Sequence, residues 1–266
     1  MDIDSIKKEF PIFDNKVQNN DLVYLDSANS SQKPRVVIDR IYDFYSKEFS
    51  NVGRSVHYLA VAATNLYENT RTSVQRYINA KDKNEIVFTK GATEAINLVA
   101  NTFGQKYLEE GDEVLLTELE HHSNYVPWHF LRNSKKIKIE FAEINEAGEI
   151  TIEAIKNKIT NKTKIISVTH LSNVTGAILP IKEIVELAHS KNIPVLVDGC
   201  QGAPHLKLDM QELDCDFYAI SGHKMYGPTG IGVLYAKKKW LDDLPPYQGG
   251  GGMINEVKKT GISYGE

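Results

Sequence analysis

The sequence predicts an α/β protein with a mostly parallel central sheet covered by helices on both faces. Three observations predict it. Short β-branched or apolar runs recur along the chain, turn chemistry follows them, and longer segments of helical period fall between several of them. Strands that alternate with helices in this way build a parallel sheet with both faces buried. The 266 residues, 41% hydrophobic and 25% charged, have the ordinary soluble balance. They suffice for one large domain with a sizeable core, or for one domain and an appendage.

In chain order, Val36 to Phe49 and Val61 to Asn79 read as helices joined by the Gly53 to Leu59 loop, an expected N-terminal packing layer. The sheet then opens with Glu85 to Thr89, which turns through Gly91 into a helix over Thr93 to Phe103. Glu113 to Thr117 is the next strand, with a helix over Ser123 to Asn133 after it. Ile137 to Phe141 is followed by a helix over Ile152 to Ile159, and Lys164 to Thr169 by one over Ile181 to Ser190. Pro194 to Val197, Phe217 to Ile220 and Gly232 to Tyr235 complete the apolar runs. In open parallel sheets ligands gather beyond the carboxyl ends of the strands, and the polar clusters of this chain fall there.

Composition excludes several roles. Thirty-one basic against 35 acidic residues give a formal charge of −4, with no surplus to hold a phosphate backbone, so no nucleic-acid partner is expected. Met1 to Phe10 lacks the apolar core of a secretory signal. Ile165 to Ile181, the longest uncharged stretch, carries too many polar groups to span a membrane. Two cysteines, Cys200 and Cys215, cannot staple a domain of this size, and their scarcity suits a reducing compartment. The expected location is the cytoplasm.

Five strand-end sites carry chemistry. Ser221 to Gly230 places Lys224 among small and hydroxyl residues directly after an apolar run. Read alone it is a surface turn; read as a site, its amine would form a Schiff base with an aldehyde cofactor, and Ser221 and His223 would hold a phosphate. Asp198 ends a buried strand, where a carboxylate needs a cationic partner such as a pyridinium nitrogen, and Gln201 one turn on would donate to a ring oxygen. Thr89 to Glu94 turns a strand into a helix whose first amides, at Ala92 and Thr93, with the Thr93 hydroxyl, make an anion cradle or simply a cap. In Glu120-His121-His122-Ser123-Asn124 the adjacent imidazoles point apart and no further ligand follows, so no metal is expected; an imidazole stacked on an aromatic cofactor and moving protons fits better. Asn173 closes the ring of strand-end groups. Together they match pyridoxal 5'-phosphate, whereas the spaced glycines of a nicotinamide site and a Walker-type lysine loop are missing from the sequence.

These residues also carry a resemblance. Tyr24-Leu25-Asp26-Ser27-Ala28, Asn65, Gly91 to Leu98, Glu120 to Trp128, Ser172 to Gly176, Asp214 to Tyr218 and Ser221-Gly222-His223-Lys224 stand in the order found in cysteine desulfurases of the SUF type, within the wider class V aminotransferase group. The chain resembles that family over practically its whole length. The resemblance implies the fold type I pyridoxal-phosphate architecture, with residues 1–20 belonging to a small domain and 21–266 forming the cofactor-binding large domain. It implies that Lys224 links the cofactor, Asp198 pairs with the ring nitrogen and His121 lies over the ring. Thr93, Ser221 and His223 would serve the phosphate, Gln201 and Asn173 the ring oxygen and substrate, and Arg54 and His57 the substrate side. It further implies a homodimer that converts L-cysteine to L-alanine and passes sulfur, through an enzyme persulfide, to an acceptor protein of iron-sulfur cluster assembly.

Departures from the pattern are Gly53, where a larger residue is usual, and Asn29 and Cys200, where alanine is usual. The family also continues past Glu266 into the nucleophilic cysteine loop, a carboxylate-binding arginine and most of the small domain. The expectation is therefore a truncated or partial sequence that lacks the sulfur-accepting step. Three alternatives stay open: a selenocysteine lyase acting on L-selenocysteine, another class V aminotransferase or epimerase, and a noncatalytic scaffold.

Overall fold

The computed structural model describes residues 2–53 and 55–265. Seven strands form its central sheet: β1 (Ile86–Thr89), β2 (Glu113–Thr117), β3 (Lys138–Ala142), β4 (Thr163–Thr169), β5 (Val195–Asp198), β6 (Phe217–Ser221) and β7 (Gly232–Ala236). Their spatial order is β1-β7-β6-β5-β4-β2-β3. Only β7 opposes its neighbours; the pairs β6·β5, β5·β4, β4·β2 and β2·β3 are parallel. The strands read as continuous apolar runs because both faces of the sheet are covered.

Alternation along each strand feeds two cores. On one face Leu115, Ile166, Val168, Val195, Val197 and Ile220 pack with α5 (Ile152–Lys158) and α6 (Ile181–His189) through Ile155, Ile184 and Val185. On the other, Val114, Leu116, Ile165, Leu196, Phe217 and Leu234 meet α3 (Ala92–Tyr107) and α4 (Val126–Lys135) through Ile96, Val99, Trp128 and Leu131. The expected helix from Ser123 is in two pieces, a 3-10 turn at His122–Asn124 and then α4. Pro127 lies in the first turn of α4, where its missing N–H costs nothing, and it prevents a continuous helix from Ser123.

The N-terminal helices depart from the expected packing layer. α1 (Arg35–Asp43) buries none of its residues and passes into a wider turn at Phe44–Glu48, while α2 (Tyr58–Tyr77) buries only Ala60 and Ala63. Val36, Tyr42, Tyr45, Phe49 and Tyr58 are exposed because no described element covers that side. No helix among the described residues is long and apolar enough to cross a membrane.

Candidate active site

Register places the site. The parallel pairing sets Thr169 of β4 beside Asp198 of β5 and Asp198 beside Ala219 of β6. Antiparallel pairing sets Ser221 beside Gly232, and Gly232 beside Thr89. Thus the turns leaving β1, β4, β5 and β6 open on one edge. The close approach there requires Gly232: a β-carbon on it would lie 2.5 Å from the Gly91 α-carbon.

A cavity of about 190 Å³ occupies this edge. Ala92, Thr93, His121, Asn173, Asp198, Gln201, Ser221, His223 and Lys224 line it, together with Asn29, Ser123, Thr169, Leu171 and Cys200. All of the expected cofactor contacts therefore face one space. Of the expected substrate-side residues, Arg54 lies outside the described residues. His57 is exposed and does not line the cavity; its Nδ1 accepts from the Ala60 amide and caps α2.

One end of the cavity is made of donors. The Ala92 amide donates to Ser221 Oγ at 2.9 Å, and the Thr93 and Ser123 hydroxyls lie 2.8 Å apart. The first amides of α3 have no carbonyl partner within the helix, and the dipole of its 16 residues favours an anion there. Burial, and then the Lys224 and Lys33 charges, hold the His223 imidazole below its usual range.

Asp198 lies elsewhere in the lining. It is 3% exposed, accepts from the Cys200 amide at 3.0 Å, and has no cationic side chain within 4.0 Å among the described residues. A buried carboxylate in that state calls for a donor or cation from the cavity. Gln201 Nε2 donates to the Ala28 carbonyl, which leaves one amide hydrogen for the cavity. His121 Nδ1 accepts from the Ser123 amide at 3.1 Å, so in the neutral ring the proton sits on Nε2.

Beneath His121 lies a network that its neighbours in sequence do not reveal. Glu120 accepts from the Thr117 hydroxyl at 2.6 Å, the Thr169 amide at 2.9 Å and Asn124 Nδ2 at 2.6 Å, and Asn124 Oδ1 accepts from Ser167 Oγ at 2.6 Å. The network ties the His121 turn to β4. The Glu120 residue is half-buried but its carboxyl group is enclosed, and that desolvation pushes it up to about 8 against the pull of its donors. Cys200 lines the cavity instead of packing away from it, while burial and the Asp198 charge push its thiol up and keep it protonated. Cys215 is fully buried.

A helix-start anion cradle, a lysine amine and a carboxylate without a cationic partner among the described residues, all around one space, suit a phosphorylated pyridine aldehyde. The fold is that of the fold type I pyridoxal-phosphate proteins. Within them, residues 23–266 match the aminotransferase class-V family, and the chain belongs to that family. It is 49% identical over 257 residues, 97% of its length and 63% of the relative's, to a probable cysteine desulfurase of Halalkalibacterium halodurans. It is 46% identical to a cysteine desulfurase of Wigglesworthia glossinidia brevipalpis, covering 96% of this chain and 62% of that one. Among solved structures, the cysteine desulfurase CsdA of Escherichia coli superposes with a TM-score of 0.89 at 38% identity, over 100% of this chain and 65% of that one. An apo cysteine desulfurase of Thermococcus onnurineus gives 0.92 at 35% identity, over 99% and 64%. The chain thus spans about three-fifths of the length of the proteins it matches.

Proposed function

We propose that the protein is a pyridoxal-phosphate-dependent cysteine desulfurase, taking L-cysteine to L-alanine and delivering the sulfur to a thiol as a persulfide. One observation carries the reading: Lys224, Asp198 and His121 line a single cavity whose other members include the start of α3. Residues 21–266 are proposed as the cofactor-binding domain and 1–20 as part of a smaller one.

When bound, the cofactor supplies an electron sink for the pair released at the substrate's α-carbon. Asp198 keeps a proton on the ring nitrogen, which maintains that sink. Ala92, Thr93, Ser221 and His223 hold the phosphate, and Gln201 and Asn173 orient the ring oxygen and the substrate. Lys224 would hold the cofactor, and its amine, when free, would take and return the α-proton. His121, with its Nε2 proton, would exchange protons with the substrate. Neither cysteine of this chain is suited to accept sulfur, since Cys215 is sealed in the core and burial holds the Cys200 thiol protonated. Arg54 and His57 are proposed on the substrate side, and His57 would have to approach from its exposed loop.

We further assign the protein to the cytoplasm, as a homodimer serving an acceptor protein of iron-sulfur cluster assembly. The apolar side chains left exposed on α1 and α2 support a covering partner. The purified protein, supplied with pyridoxal phosphate, L-cysteine and a reducing dithiol that both accepts the sulfur and frees it as sulfide, should release equal amounts of alanine and sulfide. Lys224→Ala should lower that rate at least about a thousandfold. Alanine-free turnover, or an undiminished rate in Lys224→Ala, would contradict the reading.

A further inference from the structure

The loop that carries Lys224 is gripped from outside the cavity by a segment far away in sequence. The His223 carbonyl, which belongs to the peptide joining His223 to Lys224, accepts from the Ser31 amide at 3.1 Å and the Ser31 hydroxyl at 3.0 Å, with the Ser30 hydroxyl farther off at 3.3 Å. The Ser31 hydroxyl also accepts from the Tyr226 amide at 2.8 Å, which holds Tyr226 in the left-handed region at φ 62°. Ser31 is 5% exposed, so this join is buried. Two donors already satisfy the two lone pairs of a carbonyl oxygen. Even so, Lys33 Nζ also donates to it at 2.9 Å, and to the Ser31 carbonyl at 2.6 Å.

That charged donor is unusual. Lys33 has no carboxylate within 4.0 Å among the described residues and spends its ammonium on two backbone carbonyls. Burial pulls it below the usual lysine range, and its charge reaches the His223 ring. Hydrogen-bond satisfaction alone does not call for a cation here. A charged donor on a carbonyl makes the stronger, shorter kind of bond and fixes the peptide more firmly than a hydroxyl does.

We propose that Lys33 is the positioning residue for Lys224: its ammonium fixes the 223–224 peptide, so that the Lys224 amine is presented to the aldehyde of the cofactor. The inference rests on the cofactor reading above. Lys33 does not line the cavity, so its effect on Lys224 passes through the 223–224 peptide.

The test compares wild type with Lys33→Met, Lys33→Gln and Lys33→Arg. Each protein is stripped of cofactor and given pyridoxal phosphate. The link to Lys224, which forms with loss of water, is trapped by borohydride at timed intervals and counted on the Lys224 peptide, and the melting temperature of each sample is taken alongside. Lys33→Met and Lys33→Gln should link Lys224 about tenfold more slowly, the effect of one charged hydrogen bond, while Lys33→Arg restores the rate to within about twofold. Should Lys33→Met fail to fold, the Gln and Arg variants decide. Wild-type rates in the Met or Gln variant, or equally slow linking in all three whatever their melting temperatures, would overturn the inference. A wild-type protein that never links Lys224 would sink the cofactor reading itself and take the inference with it.

Discussion

At the scale of the residue, Asp198 and Glu120 are two carboxyl groups near one site with opposite tasks. Asp198 faces the cavity and waits for a cation; Glu120 lies below the His121 turn and is used up by three donors. Because the folded state raises Glu120 to about 8, the native protein binds more protons than the unfolded chain between about pH 4.5 and 8. Its contribution to stability is therefore fully present below the unfolded value and is lost as pH rises through 8. Glu120→Gln should flatten that part of the pH–stability curve, as read by urea unfolding from pH 5 to 9; a curve identical to wild type would contradict the assignment. Asp198, Lys224 and Ser221 are readable from sequence because a strand-end position suffices to aim them. Glu120 and Lys33 are not, because their roles depend on partners 49 and 190 positions away, Thr169 and His223.

At the scale of the element, the strand ends opposite the site are held by another buried carboxylate, that of Asp216. Asp216 is fully buried just before β6 and accepts from His189 Nε2 at 2.8 Å, the Val195 amide at 3.0 Å and Trp240 Nε1 at 2.7 Å, with Lys239 Nζ at 3.0 Å. It links the end of α6, the start of β5 and the Lys238–Asp243 helix, and those elements set the register that carries Asp198 to the cavity. Truncating one member of such a set leaves buried donors unpaired, so Asp216→Ala should cost about 3 kcal/mol in chemical denaturation. A loss below about 1 kcal/mol would show that the elements hold without it. His170 makes a third buried join. Its Nδ1 lies 2.7 Å from the Tyr218 hydroxyl, and burial brings it down to about 4. It should therefore add stability above about pH 6.5 that is lost as pH falls through 4, the reverse of Glu120. His170→Phe should reduce that acid loss in a melting series from pH 7 to 4.

At the scale of the whole molecule, the seven strands appear within a residue or two of where β-branched runs place them, because strands buried on both faces leave continuous apolar runs in sequence. The antiparallel β7 carries no such mark, since its apolar run looks the same in either direction. Nor did helical period disclose that α1 and α2 would lie open: period reports an apolar stripe, not what covers it. What the sheet contributes to function is convergence, since the turns leaving β1, β2, β4, β5 and β6 meet around one cavity with Lys224 and Asp198 both in its lining. The claim that these two groups hold the same cofactor is tested most directly by reducing the pyridoxal-phosphate-loaded protein with borohydride and mapping the modified peptide in wild type and Asp198→Ala. The account predicts a single adduct, on Lys224, in wild type and a yield reduced about tenfold or more in Asp198→Ala. An adduct on another lysine, or an undiminished yield without the Asp198 carboxylate, would contradict it.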